Sequence, residues 1–200
     1  SLIVTGVQTC ALPIFEQAQA RINECIEAIN KEFLKAARAG NYEKMSEFLK
    51  KGADINIKFG KFAQGNHDGM VYDCPNDTAL TLAVRTENSR LTEYLLKNGA
   101  NTEVYYMGNT PLMEASFKHN PTLVKLLLEG GANPNTSGGF AMHMVFLGMR
   151  EWLLDRQEKP ATEIVKLLLD KGFAGTHDEI AKVIKERGYS DQILNLFHKI

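Results

Sequence analysis

The pair Gly-Ala recurs at Gly52-Ala53, Gly99-Ala100 and Gly131-Ala132, each time closing a leucine-bearing stretch. Thr78 stands 21 residues before Gly99, and Thr110 stands 21 before Gly131. Counting 21 back from Gly52 reaches Lys31, so Phe33, Leu80 and Leu112 fall in one column and Ala36, Ala83 and Ala115 in another. A chain that resembles itself at a spacing of 32 residues, Thr78 to Thr110, is not one closed core. Each unit has an apolar face that it cannot bury alone, and stability comes from stacking neighbours.

The local chemistry of each unit is helical. Asn120-Pro121 is an N-cap followed by proline at the first helical position. Leu123, Val124, Leu126, Leu127 and Leu128 then give a broad apolar face, and Ile164, Val165, Leu167, Leu168 and Leu169 repeat it after Pro160. Leu91, Tyr94, Leu95 and Leu96 do so more narrowly. Gly99, Gly131 and Gly172 sit where a helix ends in a left-handed residue.

Thr78-Ala79-Leu80-Thr81-Leu82-Ala83 and Thr110-Pro111-Leu112-Met113-Glu114-Ala115, each followed by its Gly-Ala-Asn, resemble the ankyrin repeat and its T-P-L-H-x-A motif. The resemblance runs over roughly residues 31–198. It implies an all-α solenoid of helix-turn-helix units joined by short hairpin loops, with about four repeats and a C-terminal capping repeat. The repeats are expected at 31–57, 75–104, 107–136 and 137–174, with the cap at 176–200. The fourth departs from the motif: Phe140-Ala141-Met142-His143-Met144-Val145 keeps only the histidine and the apolar positions. His143 is expected to hydrogen-bond the backbone of the neighbouring loop. Phe140 precedes Gly172 by 32 residues rather than 21, so a lengthened first helix or a longer turn is expected before Pro160.

Two segments lie outside the register. The first two Gly-Ala pairs are 47 residues apart against 32 for the next two. An inserted loop at 58–74 is therefore expected, read as a projecting hairpin with Gly65–Gly69 as its turn and Phe59, Phe62, Val71 and Tyr72 on its flanks. Residues 16–30 form a helix candidate, with Ile22, Cys25, Ile26 and Ile29 on one face, expected to cap the first repeat. Ahead of it, Val4–Ile14 reads VTGVQTCALPI, which is similar to the in-frame translation of a common sequencing adapter. Residues 1–15 are therefore read as an unstructured artefact of assembly, at the head of a truncated fragment.

Catalytic patterns are not legible. The histidines show no ligand spacing, and H-E-x-x-H, C-x-x-C, G-x-S-x-G and P-loop patterns do not occur. No cofactor or metal is expected. Cys25 is read as a buried small hydrophobe and Cys74 as a loop residue; neither shows a pairing signal, which is compatible with a reducing cytoplasm. With 23 basic against 24 acidic residues, net charge −1, the footprint of a nucleic-acid binder is missing. No apolar run reaches membrane-spanning length.

The resemblance implies a non-enzymatic module that binds a protein partner, monomeric alone, with no small-molecule substrate. Family members use loop tips and the exposed side of the inner helices. Carried over by register, that face holds Arg38, Arg85, Thr86, Tyr106, Met107, Asn109, Phe117, Lys118 and Leu147, with Phe62 and Tyr72 on the inserted hairpin. Tyr106, Met107 and Phe117 are expected to be exposed and to converge from adjacent repeats. Two alternatives stand beside this. The repeats could be the targeting part of a larger enzyme or effector whose catalytic domain lies upstream, or a small regulatory inhibitor of the toxin-immunity type.

Overall fold

A computed structural model describes residues 4–61, 77–148 and 154–174. The chain divides into two compact units, Ser1–Ile57 and Lys58–Ile200.

The first unit is a helix pair, α1 (Val4–Arg38) and α2 (Tyr42–Lys50). Phe33, Leu34, Ala36 and Ala37 of α1 are buried together with Met45 of α2. The α1–α2 turn passes through Gly40, at φ 62°. Asn41 caps α2 by accepting the Lys44 N–H at 3.0 Å. A buried Asn30 accepts the Asp54 N–H at 2.7 Å and so ties the exit of the unit back to α1.

Helix α1 corrects two expectations. It begins at Val4, where an unstructured 1–15 was expected, and it runs without a break through the expected boundary between capping helix and first repeat. Residues 16–38 contain neither glycine nor proline, so nothing interrupts the helix once formed. Residues 15–28 are exposed on every side within this unit, and Cys25 is exposed rather than buried. The helicity of residues 4–14 does not bear on their origin.

Among the described residues the second unit holds three helix pairs: α3 (Ala79–Arg85) with α4 (Ser89–Lys97), α5 (Pro111–Phe117) with α6 (Pro121–Glu129), and α7 (Thr136–Gly148) with α8 (Leu154–Asp170). The first helices stack α3–α5–α7 and the second ones α4–α6–α8, giving two layers. The core lies between them. Leu80, Ala83, Leu112, Ala115, Met142 and Val145 bury from the first layer; Leu91, Leu95, Leu123, Leu127, Ile164 and Leu168 bury from the second. Each fully buried leucine contributes about 2 kcal/mol of hydrophobic stabilisation.

The same backbone chemistry repeats at each step. Thr78 and Thr110 cap α3 and α5 through capping boxes closed by Thr81 and Met113. Glu87 and His119 take positive φ in the turns, at 54° and 53°. Asn88 and Asn120 then cap α4 and α6, accepting the Leu91 and Leu123 N–H groups at 3.0 and 3.1 Å. Gly99 and Gly131 end those helices at φ 83° and 93°. The asparagine after each Gly-Ala opens an Asx turn: Asn101 accepts the Glu103 N–H, and Asn133 the Asn135 N–H, both at 2.9 Å.

The fourth pair differs from expectation in two ways. Leu154–Lys159 of the extra stretch extend the second helix, so that α8 starts at Leu154 and carries Pro160 inside it, while residues 149–153 lie outside the described residues. Leu154–Lys159 are helix-compatible residues with no glycine, so the helix extends back past the proline at the loss of one backbone bond. Inside the first turn of α7, Ser137, Gly138 and Gly139 turn left-handed, with φ from 55° to 78°, so the regular helix begins after them. No threonine cap stands there. His143 accordingly stacks on Phe140, ring centroids 5.8 Å apart, and its buried Nδ1 finds no hydrogen-bond partner among the described residues. The expected loop contact at Nδ1 is not made. The proposed cap 176–200 and the body of the insertion, with Phe62, Tyr72 and Cys74, lie outside the described residues.

Candidate functional site

The chain from Tyr105 to Thr110 approaches α5 as a tight hairpin. Tyr106 and Asn109 exchange backbone bonds at 2.8 and 2.9 Å, and Met107 and Gly108 form the turn between them at φ 49° and 87°. Positive φ at both central residues is the type I′ pattern, in which Asn-Gly is the favoured pair. Methionine stands where asparagine fits better, and it is 76% exposed. Its side chain sits at the tip with almost nothing to pack on.

Behind the tip lies a polar chain. Asp77 is fully buried beside the N-terminus of α3. Its carboxylate accepts the Thr81 hydroxyl and, at 2.7 Å, the Arg85 guanidinium. The same guanidinium donates to the Tyr106 hydroxyl at 2.8 Å and lies 5.0 Å from the centre of the Tyr106 ring. Arg85 is anchored at the last turn of α3, but helical side chains lean toward the N-terminus, so its charge is delivered at the hairpin end. A shallow notch between α3 and the hairpin is lined by Thr81, Val84, Tyr106, Asn109 and Glu114.

Beyond the C-terminal end of α5 the surface is different. Phe117 and Leu147 occupy the same register position in α5 and α7 and are 41% and 50% exposed. The two helix ends are in direct backbone contact: a Cβ added to Gly148 would meet the Phe117 carbonyl oxygen. Lys118 is three-quarters buried in its side chain, with Nζ 4.0 Å from Glu87 and 3.9 Å from Glu114. His119 follows, its Nε2 2.7 Å from the Val145 carbonyl of α7. Burial holds its pKa below the ordinary value, and the bond to Val145 opposes that only in part.

The expected site residues therefore divide. Arg85, Tyr106 and Asn109 come together at the hairpin, but Arg85 is engaged internally and Tyr106 is half-buried beneath it, not exposed as expected. Met107, Phe117 and Leu147 are the exposed apolar members. Thr86 is exposed, yet its hydroxyl turns back to the Leu82 carbonyl at 2.8 Å. Arg38 is exposed at the end of α1 and belongs to the first unit. Tyr105 escaped the sequence reading. It is 47% exposed and its hydroxyl meets Ser137 at 3.1 Å. The alternation of side chains along a hairpin arm is the signal that sets it opposite Tyr106.

Among the described residues no group of three His, Cys, Asp or Glu side chains is placed to hold a metal ion, and no helix is long and apolar enough to cross a membrane. The stacked helix pairs, with a left-handed residue in the α3–α4 and α5–α6 turns and a hairpin before α5, define a helical repeat module. A family model for ankyrin repeats (3 copies) matches residues 33–137, and the chain belongs to that family. No curated protein matches the chain. Ankyrin repeats are in general non-enzymatic protein–protein interaction modules.

Proposed function

We propose that this chain binds a protein partner through an apolar surface of the second unit formed by Met107 at the hairpin tip and by Phe117 and Leu147 at the ends of α5 and α7. The observation that supports it is Met107. A large apolar side chain is held at φ 49° and 76% exposed, at a position where asparagine would cost less. Local strain combined with exposed apolar surface is unfavourable for the isolated fold, and contact with a partner relieves the exposure. The charges nearby are paired within the chain: Arg85 with Asp77, and Lys118 with Glu87 and Glu114. The surface therefore suits an apolar segment, with affinity set by burial rather than by ion pairing.

A displayed random-peptide library selected against the intact chain tests this. Peptides enriched in aliphatic and aromatic residues are expected, losing at least tenfold in affinity to Met107→Ser or Phe117→Ser. Selected ligands that are acidic and indifferent to both substitutions would refute the assignment.

A further inference from the structure

We propose that Asp77 is the joint that holds the base of the inserted segment and the repeat-three hairpin together, with Arg85 as the residue that positions Tyr106. Three contacts meet on Asp77. Its backbone carbonyl accepts the Phe59 N–H at 2.8 Å, closing the base of the insertion where it leaves and rejoins the repeats. One carboxylate oxygen accepts the Thr81 hydroxyl, and the other accepts Arg85 at 2.7 Å. Phe59 itself is buried, so this closure is made away from solvent.

The chemistry makes the connection mutual. A fully buried carboxylate requires a cation, and Arg85 supplies one at 2.7 Å. The guanidinium is a planar fork: one nitrogen serves Asp77, a second serves the Tyr106 hydroxyl at 2.8 Å, and its face covers the Tyr106 ring. Lysine, a single point charge, can serve one end and not both. The Tyr106 backbone is bonded in both directions to Asn109 across the Met107–Gly108 turn, so a fixed ring means a fixed tip. A hairpin that shifts takes Arg85 with it and loosens the carboxylate whose own residue closes the insertion. The base of the insertion, at Phe59 and Asp77, is thus linked to the hairpin through the Asp77 side chain. The connection is internal to the chain and stands whether or not Met107 meets a partner.

Amide hydrogen exchange followed by NMR on the full chain tests the joint from its far end. Tyr106→Leu removes the ring and hydroxyl at the exposed hairpin while leaving Asp77 its cation. Arg85→Lys keeps the charge and removes the fork. Both are expected to speed exchange of the Phe59 amide at least tenfold, 47 residues from Tyr106 and 26 from Arg85 in sequence, while the Val124 amide in α6 stays within twofold of wild type. Tyr106→Phe, which keeps the ring under the guanidinium, is expected to fall between. A Phe59 amide unchanged in Tyr106→Leu, or one that accelerates only in step with Val124, would overturn the proposal.

Discussion

Single residues carry most of what is unusual in this chain. Met107 is the clearest. A type I′ turn prefers asparagine at its first central position, so Met107→Asn is expected to raise the stability of the chain by about 0.5–1 kcal/mol in urea denaturation, and to weaken partner binding at the same time. His119 gives a second test. Its folded pKa lies below the ordinary 6.5, so the unfolded chain takes up the proton first as pH falls. Stability is then complete above about pH 7 and declines as pH drops through 6.5. Urea midpoints at pH 7.5 and 5.5 should fall more for wild type than for His119→Gln; an equal fall in both would contradict this. The sequence made part of this scale legible. Phe33, Leu80 and Leu112 share a column because a repeat must bury the same position each time, and all three are buried. Register alone sets Arg85 on the contact face; the partners that turn it inward are 8 and 21 residues away, and no local pattern announces a buried Asp77. At His143 the position of the motif threonine is held by Phe140, on which the imidazole stacks.

At the scale of elements, helix ends were more legible than helix lengths. The caps are chemical and local: Asn120-Pro121 and the glycines at 99, 131 and 172 mark their turns as the bonding requires. Length depends on what fails to stop a helix. Nothing in residues 16–38 stops α1, and Pro160, read as a start, lies inside α8. Pro160→Ala therefore discriminates. Inside a helix it restores a backbone bond and should stabilise by about 1–3 kcal/mol; at a helix start it would be neutral or harmful. Calorimetric melting of the variant decides. The close approach of α5 and α7 gives the opposite sign. A Cβ at Gly148 would run into the Phe117 carbonyl oxygen, which is backbone and cannot swing aside. Gly148→Ala should cost about 1–3 kcal/mol through overpacking, read as a lower urea midpoint, whereas an unchanged midpoint would mean the helices part freely there.

For the whole molecule, the family match and the stacked helix pairs agree on a scaffold, and a scaffold alone does not choose a partner. What distinguishes this chain is the surface that the scaffold presents. Nearby charges are consumed internally, and Met107, Phe117 and Leu147 are left exposed. That division was legible only in outline: the register placed all three on the face, but showed neither Arg85 turning inward nor Tyr105 turning out. The central claim is that these three side chains carry partner binding. The direct measurement is calorimetric titration of a library-selected peptide into wild type and into the Met107→Ser/Phe117→Ser/Leu147→Ser variant, with melting temperatures recorded for both. The account predicts at least a hundredfold loss of affinity with a melting temperature that does not fall. Affinity retained within twofold by a folded triple variant would contradict it.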